Sequence, residues 1–195
     1  MIRLFTALCK TRLKILSEGV LFQEATGGHR HLGKRCPRCG AVGKLSGYGD
    51  YGRDLSSFED GKAVDRKVRP KRVKCGSCGA THALLPDIAI PYGRYSLVFV
   101  LTVLTAYFER ATTVEKICVN FKIAISTIYE WKKRMVSDKE LMLGMLISRK
   151  APALGFLRGL LRSDRLSGIL REFYRNHGFS FMQRRSSPAT RSRSP

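Results

Sequence analysis

The chain has 195 residues, 44% of them apolar, enough to bury the core of one ordinary domain or two small ones, which excludes a chain disordered throughout. Its 36 Lys and Arg against 15 Asp and Glu leave a formal charge of +21. Self-repulsion of that size points to a polyanionic partner, nucleic acid ahead of an anionic membrane surface.

Residues 1–24 read as a short basic helix, with Leu4, Phe5, Leu8, Leu13 and Leu16 on a common side. Lys10, Arg12 and Lys14 interrupt its apolar stretch too early for a secretory signal. A Gly-rich basic linker, ATGGHRHLGKR, follows at 25–35. From Cys36 to about Pro91, glycines, the Asp60-Gly61 pair and alternations such as KAVDRKVR predict short strands and turns. The longest uncharged apolar run, YSLVFVLTVLTAYF at 95–108, falls short of the roughly 17–25 residues that span a bilayer. It reads as a buried core helix, and no membrane contact is expected.

Beyond it the period is helical: Val114, Ile117 and Phe121, then Ile128, Trp131 and Met135. Ser137 and Glu140 have capping-box spacing and predict a new helix running into LMLGMLI, which Pro152 ends. Leu166, Ile169, Leu170, Phe173 and Tyr174 make the stripe of a last helix, stopped at Gly178. Arg158, Arg162 and Arg165 flank Leu157, Leu161 and Leu166 there, a pattern that suits a membrane-surface helix but is better read as core packing with solvated arginines. The tail 184–195, RRSSPATRSRSP, has no apolar face and is expected to be disordered.

Of the six cysteines, four are paired: CPRCG at 36–40 and CGSCG at 75–79. Each pair is followed by glycine, which a tight knuckle requires, and two knuckles together offer the four thiolates that Zn²⁺ takes in a tetrahedron. Cys36, Cys39, Cys75 and Cys78 are therefore the expected ligands of a closed, structural Zn²⁺ site. A thioredoxin-like redox motif would be single and lie beside a βαβ pattern, so it explains the doubled motif less well. His29, His31 and His82 lie near the knuckles and are read as surface or hydrogen-bonding residues. Cys9 and Cys118 stand in apolar helical contexts, where a buried inert thiol is the default.

The segment 112–135, TTVEKICVNFKIAISTIYEWKKRM, predicts a helix over about 114–121 capped by Thr113. A short turn through Lys122 and Ile123 then leads to a second helix from Ile125 or Ser126. Ile128 and Trp131 face inward, and Ser126, Thr127, Tyr129, Lys132 and Lys133 face outward. That is helix-turn-helix spacing, although plain core packing would produce the same apolar stripe. Lys122 stands where glycine commonly takes the left-handed turn conformation, and Glu130 puts a negative charge near the outward face. The basic stretch Arg66, Lys67, Arg69, Lys71, Arg72 and Lys74 reads as a strand entering the second knuckle, with Pro70 marking an edge or a bend.

Taken in order, CPRCG, RKVRPKRVKCGSCGATHALLP, YGRYS, the apolar helix and ISTIYEWKKR resemble the N-terminal region of insertion-sequence transposases, over about residues 30–136. They are similar above all to short bacterial proteins with this layout and no catalytic domain. The resemblance implies a Cys₄ zinc ribbon held by Cys36, Cys39, Cys75 and Cys78, followed by a helix-turn-helix whose helix from about Ser126 to Arg134 reads DNA. Asp138, Glu140, Asp164 and Glu172 are too few, and too embedded in helical patterns, for a two-metal nuclease. No enzymatic activity is expected.

The expected fold is mainly α with a small β zinc ribbon. Its parts are a basic helix and linker (1–29), the ribbon (30–91), the helix-turn-helix (92–136), amphipathic helices (137–183) and the tail (184–195). The expected function is binding of double-stranded DNA by a cytoplasmic, nucleoid-associated protein, as a monomer or homodimer, with no small-molecule substrate. Base contacts fall to Ser126, Thr127, Tyr129 and Lys133, with Lys132 and Arg134 beside them, and phosphate contacts to Arg69, Lys71, Arg72 and Lys74. The alternatives are a subunit or fragment of a transposase needing a catalytic partner, and a nonspecific binder of nucleic acid or anionic surfaces.

Overall fold

A computed structural model describes residues 2–4, 34–59, 62–144 and 152–184. Cys9, His29, His31, the Asp60-Gly61 turn and the tail from 185 onward lie outside the described residues, as do most of the helix expected over 1–24 and the end of LMLGMLI.

Among the described residues the strands are β1 (Ile2–Leu4), β2 (Leu45–Asp50), β3 (Arg53–Glu59), β4 (Lys62–Val68), β5 (Lys71–Cys75) and β6 (Thr81–Pro86). Four of them form a sheet in the order β1-β6-β5-β2, and β3 and β4 form a separate hairpin. β5 is central. It pairs antiparallel with β2, Leu45 opposite Cys75, and with β6, Lys74 opposite Thr81. β1 runs parallel to β6, Ile2 opposite Leu84. Ile2–Leu4 is thus a strand, not the first turn of the expected helix, because the free edge of β6 offers it backbone partners that local periodicity cannot reveal.

The basic stretch is likewise two strands in two sheets. β4 ends at Val68, and buried Pro70, with no N–H to give to a ladder, turns the chain into β5 while its carbonyl accepts from the Tyr51 amide at 3.3 Å. Pro70 therefore marks a bend, as its chemistry suggests.

Among the described residues the helices that follow are α1 (Leu97–Glu109), α2 (Val114–Phe121), α3 (Ile125–Gly144), α4 (Ala153–Arg162) and α5 (Leu166–His177). The Ser96 hydroxyl caps α1 by accepting from the Phe99 amide at 3.0 Å, and Leu97, Phe99, Val100, Leu101, Val103 and Leu104 are buried. α1 is apolar all round because other elements cover it on several sides, as the uninterrupted run predicts. Tyr95, Phe99 and Trp131 pack edge-on and stacked with centroids 4.9–6.3 Å apart, and Phe121 reaches the hairpin through Phe58 at 5.3 Å. The hairpin also holds the α1 entry: the Ser56 amide donates to Arg94 at 2.7 Å and the Ser96 amide to Ser56 at 2.9 Å. Sheet and helices are thereby stitched together across residues 89–96, and the division expected at 91–92 is a packed junction.

Two further expectations need correcting. α3 runs unbroken through Ser137, so the boundary at 136–137 falls inside a helix. Asp138 is fully buried there, and its carboxylate accepts from the Met182 amide at 2.8 Å, tying the C-terminal segment to α3. Ser137 and Glu140 have the spacing of a capping box, but the buried positions Met135, Asp138 and Met142 continue the helical period of Ile128 and Trp131 across them, so the helix does not restart. Strands also make up far more of the described chain than a small ribbon would, giving a mixed architecture of helices and small, mostly antiparallel sheets.

α4 and α5 bury Phe156, Leu157, Leu160, Leu170 and Phe173 in the same core as α1. Arg158 stays at the surface and pairs with Glu109 on α1 at 2.8 Å, which accords with core packing of this region. None of the described helices is long and apolar enough to cross a membrane.

Candidate metal centre and basic surfaces

The four paired cysteines converge. Cys36 and Cys39 precede β2, Cys75 ends β5, and Cys78 lies in the turn before β6. In the first knuckle the Gly40 amide donates to the Cys36 carbonyl and the Cys36 amide to Ala41, both at 2.9 Å. The second repeats it: Gly79 to Cys75 and Cys75 to Ala80, again at 2.9 Å. Gly40 and Gly79 have φ of 76° and 69°, a left-handed conformation that explains glycine after each second cysteine. The Gly76 amide donates to the Lys44 carbonyl at 2.8 Å and locks one knuckle against the other.

Across the knuckles, Cys36 Sγ lies 3.8 Å from Cys78 Sγ, and Cys39 Sγ lies 3.7 Å from Cys75 Sγ. All four sulfurs lie within 4.8 Å of one another and could hold a metal ion. Cys36 and Cys75 are buried, Cys78 half-buried and Cys39 exposed. The Cys78 backbone N–H, followed by that of Ser77, lowers the Cys75 thiol to about 6 against the opposing effect of burial. The Cys36 thiol is also lowered, chiefly by the Cys39 amide. Cys39 goes the other way, to about 12: the Ala41 amide pulls it down, but the Cys78 thiol, burial and the other two thiols prevail. Sulfurs this close cannot all ionise without a cation between them, whereas a bound metal removes that conflict.

His82, on β6, is buried, with Nε2 3.3 Å from Cys36 Sγ. Burial lowers its pKa. Its register opposite Val73 places it there, as a hydrogen-bonding residue.

The second candidate region is the pair α2–α3. Thr113 caps α2, its hydroxyl accepting from the Lys116 amide. At the far end the Ile123 amide donates to Cys118 at 3.1 Å and the Lys122 amide to Val119 at 3.3 Å. These are the two bonds of a Schellman turn, with Lys122 at the left-handed position, φ 51° and ψ 48°. Ile123 is buried as the apolar anchor of the turn. α3 then starts at Ile125 and buries Ile128, Trp131 and Met135. Cys118 is half-buried, and burial raises its thiol.

Of the outward residues, Ser126, Tyr129 and Lys133 are exposed and Thr127 is half-buried. Lys132 is turned sideways: its Nζ donates to the Tyr107 hydroxyl at 3.2 Å and lies 5.3 Å from that ring. Arg134 is half-buried and pairs with Glu130 one turn back. That pair also absorbs the negative charge Glu130 brings to the face. Gln183 and Arg184 border the same surface, lining a shallow groove with Lys133 and Arg134. Their presence had no sequence signal, since Asp138 and Met182 bring them there across a large separation.

The strand cations divide three ways. Arg69 is exposed and pairs with Asp50 at 2.7 Å. Lys71 is exposed on the face it shares with Val73 and Cys75. Arg72 and Lys74 project from the other face, where Arg72 donates to the Thr81 hydroxyl at 3.0 Å. Both lie over the Tyr48 ring, at 5.8 and 5.4 Å from its centroid, and Arg72 also lies 6.0 Å from that of Tyr51. These four cations therefore do not form one patch.

No curated protein and no solved structure matches the chain. Residues 36–131, from the first paired cysteine to the buried tryptophan of α3, match the profile of a family described as a domain of unknown function (DUF6431).

Proposed function

We propose that the protein binds double-stranded DNA, through a zinc ribbon joined to a helix-turn-helix of the insertion-sequence transposase type, and does no chemistry of its own. The observation that carries this reading is the α2–α3 pair: a Schellman turn with a buried anchor, and a second helix that buries Ile128 and Trp131 while its first turns offer Ser126, Tyr129 and Lys133 to solvent. A second helix exposed in this way can enter a major groove and present its N-terminal side chains to base edges. Lys133 is the cation best placed for phosphate contact, with Arg184 beside it. Lys132 and Arg134, each held by a neighbour, contribute less.

Zn²⁺ suits the cysteine cluster. A Zn–S bond of about 2.3 Å places tetrahedral ligand sulfurs about 3.8 Å apart, and the two cross-knuckle pairs lie at 3.8 and 3.7 Å. With four sulfurs the coordination is complete, so the metal's role is to hold the knuckles and the sheet. Asp138 is committed to the Met182 amide, and Asp164 and Glu172 are exposed, an arrangement that favours the non-catalytic reading.

The test is duplex binding titrated against salt. Several phosphate contacts require log K to fall linearly with log salt, by about 0.9 per contact. Lys133→Ala is expected to reduce that slope by about one contact. Duplex binding that ignores salt, or an unchanged slope in Lys133→Ala, refutes the assignment.

A further inference from the structure

A second site lies where β6 of the four-stranded sheet meets β3 of the hairpin. A groove of about 440 Å³ is lined by Thr81, Ala83 and Leu85 from alternate positions of β6, by Tyr51 and by the loop bearing Tyr92. Next to the Thr81 wall, on the same sheet face, are Arg72, which donates to the Thr81 hydroxyl at 3.0 Å, and Lys74, paired opposite Thr81; both lie over the ring of half-exposed Tyr48. At the rim of the groove stands Tyr92.

Tyr92 is unusual twice over. It is 83% exposed, and its backbone is left-handed, φ 59°. Bulky residues rarely adopt that conformation, which persists only where surrounding structure imposes it. Here the imposing group is Arg53, whose half-buried guanidinium donates to the carbonyls of Ile90, at 2.6 Å, and of Gly93, either side of Tyr92. The Gly93 amide closes the turn onto Ile90 at 3.2 Å. The turn is thus held in place and shows an aromatic ring to solvent at the mouth of a groove.

We infer that this groove binds single-stranded nucleic acid, an unpaired base stacking on Tyr92 and the sugar-phosphate backbone running past Arg72 and Lys74. Exposed aromatic rings beside cations are what strand binding without sequence readout needs, since every base has a π-face. Arg94 lines the groove too, whereas Asp54 at its edge repels phosphate, which places the backbone on the β5 side. The site lies on a different element from α3, and it extends the nucleic-acid reading above, on which it partly rests.

Tyr92→Gly is the discriminating variant, because it removes the ring and relieves the left-handed strain together, so folding is not put at risk. Anisotropy of fluorescein-labelled dT₁₂ and rU₁₂, alongside a labelled random duplex, reads the outcome on the full chain. The wild type is expected to bind at least one single strand. In Tyr92→Gly that affinity falls about 5- to 150-fold, the loss of one stacked base, while the thermal midpoint does not fall and duplex affinity changes less than twofold. Arg72→Gln is expected to lower the salt slope for the single strand by about 0.7. Single-strand affinity unchanged in Tyr92→Gly overturns the inference, as does a wild type that binds duplex but neither single strand. A wild type that binds none of the three overturns the duplex reading as well.

Discussion

Lys122→Gly tests the turn on which the α2–α3 geometry depends. Lys122 is exposed, its backbone is left-handed, and its amide already makes the turn hydrogen bond to Val119. The left-handed conformation costs a residue with a Cβ about 1–2 kcal/mol. Glycine escapes that cost, but its greater freedom in the unfolded chain takes back about 0.5–1 kcal/mol. The net expectation is a gain of roughly 0.5–1 kcal/mol, or about 1–4 °C in Tm for a chain of this size. Urea unfolding of wild type, Lys122→Gly and Lys122→Ala isolates the backbone effect, since alanine removes the lysine side chain without relieving the strain. The midpoint should rise for glycine, stay near wild type for alanine, and keep the same slope for all three. A glycine variant less stable than the alanine one would refute the left-handed turn and the helix pairing built on it.

Metal analysis of the purified protein should find one zinc per chain, and Cys36→Ser or Cys75→Ser should lose it together with most of the protection that zinc gives against unfolding; a full-length protein that melts identically with and without chelator refutes the structural role. Trp131→Ala empties a site bounded by Tyr95 and Phe99 and should cost about 3–5 kcal/mol in denaturant unfolding, whereas a loss below about 1 kcal/mol would place the ring at the surface. Asp138→Ala leaves the buried Met182 amide without its acceptor, so a loss of about 1–3 kcal/mol is expected, and a neutral outcome would detach the C-terminal segment from α3.

Much of the candidate site was legible in the residues alone because it depends on short-range chemistry. The glycine after each CxxC pair announced a left-handed position, and Gly40 and Gly79 occupy one each. Thr113, the apolar spacing of Val114, Ile117 and Phe121, and the turn at Lys122 were enough to bound α2, because capping and helical period act within a few residues. The same local logic failed at Ser137, where a capping pattern lies inside a helix whose buried positions, Met135, Asp138 and Met142, carry the period straight through it.

What the sequence determined by itself was the pairing of the cysteines, the buried character of α1 and the course of α2 into α3. Tertiary structure decided which cations share a face. Alternation along β5 sends Arg72 and Lys74 one way and Lys71 the other, but only the register with β2 and β6 puts Tyr48 and Thr81 beside the first two. It also decided that Ile2–Leu4 is a strand, and that Arg53 holds Tyr92 out to solvent from 39 positions away. Contacts of that kind join residues far apart in the chain, and no local propensity or spacing encodes them.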